Sequence, residues 1–219
     1  MTSTTKIILV DDHLLFREGM KLLIETEGMG VVISEASNGQ AFLDLLKTQD
    51  PDIVLMDVEM PVMGGIEATE IAISIKPGLK ILLVTMLDML NDYAKLINIG
   101  AMGCVLKSAG KMELENAIKT VINGQSYFSN ELLRKIILDL SKKNSASNLT
   151  VSHENSFTER ELEVLRLLCE GFSPIEIADK IHRSIKTVEA HRAKLLQKTE
   201  TRNTVNLILY AIKNKIVEI

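Results

Sequence analysis

KIILVDDHLLFREGMKLLIETEGMGVVISEA, residues 6–36, changes its hydrophobic period twice. Residues 6–10 are an unbroken apolar run of strand type. Over 14–26 the apolar positions Leu15, Met20, Leu22, Leu23 and Ile24 fall at helical spacing, and 31–36 is strand-like again. Strand, helix and strand within about 30 residues describe a parallel pair joined by a right-handed crossover. The alternation continues through the strand-type runs DIVLMD (52–57), KILLVTM (80–86) and GCVLK (103–107), with helical spacing over 40–48, 65–76, 89–99 and 111–123. Strands this continuously apolar are buried on both faces. The expected first domain is therefore α/β, a five-stranded doubly wound parallel sheet, over residues 1–125.

The pattern then stops. Residues 130–141 read as one short helix, and SKKNSASNLTVSHENS (141–156) has the polar, small-residue composition of a linker, so 126–156 is expected to connect two domains. From Thr158 onward every apolar period is helical. Thr158-x-x-Glu161 is a capping-box pattern, Gly171 ends that helix, and Ser173-Pro174 is an N-cap followed by proline at N1. Ser184 opens a helix over 185–198, and 203–214 is the last. The expected second domain, 157–219, is all-α with four short helices.

An apolar fraction of 46% and a charged fraction of 25% suit a globular protein. No apolar run reaches the roughly 18–20 residues that cross a bilayer, and the N-terminus lacks a signal-peptide pattern. Cys104 and Cys169 are isolated in apolar settings and read as buried thiols of a cytoplasmic protein. The net charge of −4 is unevenly spread. Residues 1–145 hold 14 Lys+Arg against 19 Asp+Glu, whereas 180–215 hold 9 Lys+Arg against Glu189 and Glu200. A polyanion partner is expected at that basic end alone.

Asp11 and Asp12 follow the first strand, Asp57 ends the third, Thr85 lies near the end of the fourth and Lys107 ends the fifth. Singly, each has an ordinary explanation as a cap, a strand residue or a solvated side chain. Together they come from four strands and meet at one edge, the carboxyl ends, where ligands of open parallel sheets bind. Three gathered carboxylates need a compensating cation, and a hard divalent ion, Mg2+, suits oxygen ligands. With Lys107 and the Thr85 hydroxyl the set suits phosphoryl transfer onto a carboxylate oxygen.

VDDH, DIVLMDVEMPVMGG, LLVTM and GAMGCVLKS, in this order, resemble the receiver domain of two-component response regulators. The resemblance implies a flavodoxin-like sheet of order 2-1-3-4-5, with Asp57 as phosphoacceptor and Asp12 and Asp57 as direct Mg2+ ligands. It further implies Asp11 acting through water and the Glu59 carbonyl completing the set, with Thr85 and Lys107 on phosphoryl oxygens. Pro61 and Gly64-Gly65 shape the loop after Asp57, where flexible backbone angles are expected. One position departs: receivers often carry Tyr or Phe three residues before the lysine, and here Cys104 stands there, so a switch by an aromatic ring is not expected. Met86 and Leu87 are bulky beside Thr85 and restrict water's access.

FTERELEVLRLLCEGFSPIEIADKI followed by SIKTVEAHRAKLLQKT resembles the LuxR-type helix-turn-helix, and both parts together resemble the NarL/FixJ class of response regulators. That places 185–198 in the major groove of double-stranded DNA, with Glu189, Ala190 and Ala193 at base edges and Ser184, Lys186, Thr187, Arg192 and Lys194 at phosphates. Glu189 can accept from a cytosine amino group, and alanine can touch a thymine methyl. His191 reads equally as a phosphate contact or an interior cap. Ile185, Val188, Leu195 and Leu196 are expected to face the core. Thr199 replaces the family's usual leucine, and His182 leaves the turn without glycine. Val205, Leu207, Ile208, Leu209 and Ile212 of the last helix fit either core burial or pairing of two DNA-binding domains.

The implied function is a phosphoacceptor transcription factor, not an enzyme beyond its own phosphorylation and dephosphorylation. Its implied partners are a cognate sensor histidine kinase, DNA, a second copy when phosphorylated and, as a further candidate, RNA polymerase, without a membrane. An aspartyl phosphohydrolase would carry Asp-x-Asp on the first strand, which Asp11-Asp12-His13 does not provide. A helical domain serving protein interaction alone fits poorly with the charge of 180–215.

Overall fold

The computed structural model describes residues 4–86, 99–129, 131–135, 157–201, 203–214 and 216–217. The chain divides into Met1–Ser129 and Asn130–Ile219. In the first unit β1 (Lys6–Val10), α1 (Leu14–Thr26), β2 (Val31–Ala36), α2 (Gly39–Leu46), β3 (Ile53–Asp57), α3 (Gly65–Ile75), β4 (Ile81–Thr85), β5 (Gly103–Leu106), α4 (Lys111–Ile122) and β6 (Tyr127–Phe128) follow in order. The expected helix over 89–99 falls largely outside the described residues.

All strand pairs are parallel, in the order β2-β1-β3-β4-β5-β6. Side chains alternate between the two faces of a strand. Ile7, Leu9, Ile53, Leu55, Leu82, Val84 and Val105 join Ile24 of α1 and Leu114, Ala117, Ile118 and Val121 of α4 in one buried core. The alternate positions Ile8, Val10, Val54, Met56, Ile81, Leu83 and Cys104 are as deeply buried. Burial on both faces is why these strands read as continuous apolar runs.

Three expectations need correction here. The sheet has a sixth strand, so this unit runs past 125: Tyr127 N–H donates to the Met102 carbonyl at 3.1 Å and Ser129 N–H to that of Cys104 at 3.0 Å. Two residues are too few to show a period. Gly103 makes room for the strand, since a Cβ there would lie 2.2 Å from the Tyr127 carbonyl. On α1, Leu15 and Leu22 are exposed, and the half-buried Phe16, Met20 and Leu23 pack against the core instead. In the loop after Asp57 the left-handed residue is Val62, at φ 70°, and neither glycine. Gly65 is required by proximity, because a Cβ would stand 1.9 Å from the Asp57 carbonyl.

The second unit contains α5 (Glu159–Cys169), α6 (Pro174–Lys180), α7 (Ile185–Lys198) and α8 (Thr204–Lys213), with 131–135 also helical. Capping boxes at Thr158/Glu161 and Ser173/Glu176, and N-caps at Ser184 and Asn203, fix each start. Val164, Leu165, Ile177, Val188, Leu195, Val205, Leu207 and Ile208 form the buried interior. Core burial therefore accounts for the first half of α8, while Leu209 and Ile212 are half-buried. The Thr199 hydroxyl, buried where a leucine was expected, donates to the Leu195 carbonyl at 2.8 Å. His182 and Glu200, which follow α6 and α7, take the left-handed backbone at φ 52° and 54°, a conformation glycine would hold without strain.

Glu161 is nearly buried and accepts from Thr158 N–H at 2.8 Å and from Lys198 Nζ at 2.6 Å. Burial alone would raise its carboxyl, but Lys198 and the Thr158 amide bring it below its ordinary value. Its stabilisation is thus present above the unfolded pKa of about 4.3 and is lost as pH falls through the lower folded value. Glu161→Ala should cost the C-terminal unit about 2–4 kcal/mol at pH 7. The deficit, read by urea unfolding from α5 amide signals, should shrink in acid.

Candidate functional site

Three strand ends build the site. Asp11 leaves β1, Asp57 ends β3, and Lys107 follows β5, held by its own N–H donating to the Thr85 carbonyl at 2.7 Å. Lys107 Nζ lies 2.7 Å from Asp11 Oδ2 and 2.7 Å from Asp57 Oδ2. The three side chains are only 4–7% exposed. The Lys107 ammonium also stands 4.8 Å from the centre of the Phe16 ring. Asp11 Oδ1 accepts from His13 N–H at 2.8 Å, and the Glu59 amide approaches Asp57 Oδ1 at 3.4 Å. Asp11, Asp12, His13 and Asp57 bring ligand atoms within 4.8 Å of one another.

Charge is unbalanced in this cluster. Burial pushes the Asp57 carboxyl up; the Lys107 hydrogen bond and charge oppose that without cancelling it, and the Asp11 charge adds to the rise. Burial alone would lower Lys107, yet its bonds to Asp11 and Asp57 and their charges outweigh burial and raise it. Asp12 Oδ1 is buried with no hydrogen-bond partner, although His13 Nδ1 lies 3.0 Å away. Hard oxygen donors, one of them orphaned, fit a divalent cation such as Mg2+. The cluster opens into a cleft of about 460 Å³ lined by Asp12, His13, Asp57, Glu59, Met60 and Thr85, among others. The Thr85 hydroxyl, 3.3 Å from the Met86 carbonyl, lines the same cleft.

The structure thus brings Asp11, Asp12, Asp57, Thr85 and Lys107 to one edge of the sheet, with Glu59 at the rim. Leu87 lies outside the described residues; Met86 lines the cleft and is half exposed. Sequence reading missed Phe16, His13 and Arg17. Arg17 Nη1 donates to the Asp11 carbonyl at 2.5 Å and its Nε to Glu35 at 3.1 Å. An arginine on the half-buried side of α1, one turn after the aspartates, was the available signal.

In the second unit, Ser184 caps α7 by accepting from Thr187 N–H at 3.2 Å. Ser184, Lys186, Ala190, Ala193 and Lys194 are exposed, while Thr187, Glu189, His191 and Arg192 are half-buried. Val188 and Leu195 face the core, but Ile185, expected there, is 48% exposed because it occupies the first helical position, before the core-facing turns. Arg192 pairs with Glu189 at 2.5 Å and donates to the Thr204 hydroxyl at 3.1 Å. Its guanidinium therefore ties α7 to α8.

Both units match known families: residues 7–119 the response regulator receiver domain, and residues 155–211 the bacterial regulatory proteins of the luxR family. The chain belongs to the response regulators. It is 34% identical over 213 residues to the uncharacterized transcriptional regulatory protein YxjL of Bacillus subtilis (strain 168), covering 97% of each chain. It is 30% identical over 215 residues to the oxygen regulatory protein NreC of Staphylococcus carnosus (strain TM300), covering 97% of this chain and 99% of that one. The crystal structure of the response regulator ChrA of a heme-sensing two-component system aligns with a TM-score of 0.52 at 26% identity, over 98% and 99% of the two chains. This response regulator therefore combines a receiver with a LuxR-type DNA-binding domain.

Burial raises the Asp57 carboxyl above its ordinary value, so its ionisation is harder in the folded receiver than in the unfolded chain. The associated stability is full below the unfolded pKa and is lost as pH rises through the folded one. At pH 7 the ionised carboxylate is then a net cost. Asp57→Asn should raise the receiver's thermal midpoint in metal-free buffer at pH 7, and the gap should close in acid; equal midpoints at pH 7 would contradict this.

Proposed function

We propose that Asp57 is the phosphoacceptor of a two-component system and that its phosphorylation controls dimerisation and sequence-specific DNA binding. The observation that carries this is one ammonium group, Lys107 Nζ, 2.7 Å from both Asp11 and Asp57 at the mouth of an acidic cleft. An Asp57 oxygen attacks the phosphorus of a phosphohistidine on a sensor kinase. The P–N bond breaks, and the imidazole leaves with the electron pair and takes up a proton. Lys107 keeps positive charge beside the reacting oxygens, and the Thr85 hydroxyl turns from Met86 toward a phosphoryl oxygen. Asp12, Asp57 and the Glu59 carbonyl would hold Mg2+ directly and Asp11 through water. When bound, the ion supplies neutralising charge that a single lysine lacks. Hydrolysis joins water's oxygen to phosphorus, breaks its bond to Asp57 and frees the carboxylate, so the protein acts catalytically on itself alone.

Helix α7 is the proposed major-groove element. Ser184, Lys186, Thr187, His191, Arg192 and Lys194 address phosphates and set register, while Glu189, Ala190 and Ala193 address base edges. YxjL's description as a transcriptional regulatory protein supports regulation of transcription. Two copies, brought together by phosphorylation through the half-buried part of α8, would bind inverted half-sites and gain affinity from proximity alone. Of residues 126–156, expected as the linker between 1–125 and 157–219, Tyr127 and Phe128 belong to the receiver sheet, and the stretch after Ser129 serves as the linker; RNA polymerase is a candidate partner, and the site of action is the cytoplasm. No described helix is long and apolar enough to cross a membrane.

With acetyl phosphate and Mg2+ the protein should gain one base-labile phosphoryl group by intact mass, and Asp57→Asn should gain none; equal labelling would move the site elsewhere. Lys194→Ala should weaken binding to every DNA sequence and flatten the salt dependence by about one unit of slope. Glu189→Ala should instead relax preference at one base pair by about 1–3 kcal/mol. A uniform loss from Glu189→Ala in DNA titrations would remove it from the base-reading set and leave its pairing with Arg192 as its role.

A further inference from the structure

We infer that Arg17 is a positioning residue for the acidic cluster, setting its affinity for a divalent cation through the backbone of Asp11. This rests on the metal-assisted phosphoacceptor reading above. The chain leaves β1 at Val10 and enters α1 at Leu14, so three residues carry the whole turn. Asp11 N–H still pairs with the sheet, donating to the Ala36 carbonyl at 3.1 Å. Its carbonyl lies beyond the ladder and is taken by Arg17 Nη1 at 2.5 Å. The same guanidinium donates from Nε to Glu35 Oε2 at 3.1 Å, on β2, and Lys21 occupies the other Glu35 oxygen at 2.9 Å. The Arg17 side chain is 13% exposed and that of Glu35 27%, so this clamp is shielded from solvent.

A planar fork can hold a carbonyl and a carboxylate in one geometry, which an ammonium cannot. Fixing the Asp11 carbonyl fixes the direction of its side chain. That side chain shares Lys107 with Asp57 through Oδ2 and accepts from His13 N–H through Oδ1. The neighbouring residue, Phe16, carries its ring beside Lys107. Consecutive residues of α1 therefore hold both partners of the Asp11–Lys107 pair. Without Arg17 the turn relaxes, and mutual repulsion of the carboxylates is free to spread them.

The test uses full-length wild type, Arg17→Lys, Arg17→Ala and the control Lys21→Ala. Three readouts apply: Mg2+ titration by calorimetry, hydrogen exchange at the His13 amide, and phosphoryl gain from acetyl phosphate across a Mg2+ series. Arg17→Lys should weaken Mg2+ about 10-fold, as loss of an orienting outer contact does. It should speed exchange at His13 and shift the Mg2+ dependence of labelling by the same factor, with the rate at saturating Mg2+ within about twofold of wild type. Lys21→Ala should match wild type in all three. Arg17→Ala should exceed Arg17→Lys in effect; should it not fold, Arg17→Lys carries the comparison. Wild-type Mg2+ affinity and His13 exchange in Arg17→Lys would overturn the inference, as would a lost maximal rate at unchanged Mg2+ affinity. Wild type that itself gains no phosphoryl group would instead sink the phosphoacceptor reading.

Discussion

Lys107 is one cation shared by two carboxylates that water scarcely reaches, and the upper edge of the receiver is organised around that shortfall. Its ammonium stands 2.7 Å from Asp11 and from Asp57, with all three side chains less than a tenth exposed. Desolvation of ions is costly, and one positive charge cannot offset two negative ones in a region of low polarisability. Both partners respond in the direction this requires: Asp57 is pushed toward its neutral form, and Lys107 is held more firmly charged. A third carboxylate, Asp12, adds an oxygen with no donor. The cluster therefore carries an unmet need for positive charge, which a divalent cation on hard oxygen ligands would satisfy.

Such a cluster survives because the sheet beneath it leaves little freedom. The strands that carry Asp11, Asp57 and Lys107 are packed on both faces by aliphatic side chains almost without exposure. The Asp57 carbonyl is approached so closely by Gly65 that no larger residue fits. Backbone bonds at the strand ends, Asp11 to Ala36 and Lys107 to Thr85, then fix the register of the polar groups. The second unit solves a different problem by different means. Each of its four helices opens on a side-chain cap, at Thr158, Ser173, Ser184 and Asn203, which satisfies amides that a helix start leaves open. Charge there is left outside, on Lys186 and Lys194, where a polyanion can reach it.

The parts legible in the sequence were those with a period or a fixed relation to one. Five strands showed as apolar runs, so the residues at or just past their ends, Asp11, Asp12, Asp57 and Lys107, could be assigned to one edge without coordinates. What escaped had no period. The two residues of β6 are bound to the sheet by backbone alone, and Gly103 was a sign readable only once a neighbour was known to approach it. On α1 two apolar stripes compete; the burial of Phe16, Met20 and Leu23 over Leu15 and Leu22 depends on where the sheet lies. Ile185 has the hydrophobicity of a core residue but stands at a helix start. Arg17 escaped as well, because its place on the half-buried side of α1 does not tell which carbonyl it serves.

Position 104 shows how these constraints bear on signalling. An aromatic ring there could move between an outer and an inner position, but Cys104 is fully buried and its thiol is pushed up by that burial. In register beside it on β6 stands Phe128, itself buried, so aromatic bulk is supplied by the neighbouring strand and is held by the sheet. Residues paired in register on parallel strands project to the same face, which makes Phe128 part of the packing around Cys104. Among the described residues that line the cleft are two polar groups: the Thr85 hydroxyl, 3.3 Å from the Met86 carbonyl, and the Lys107 ammonium between its two carboxylates. The bond from Lys107 N–H to the Thr85 carbonyl joins them across the β4–β5 pair. That backbone bond fixes the spacing of the two chain segments from which the hydroxyl and the ammonium reach into the cleft.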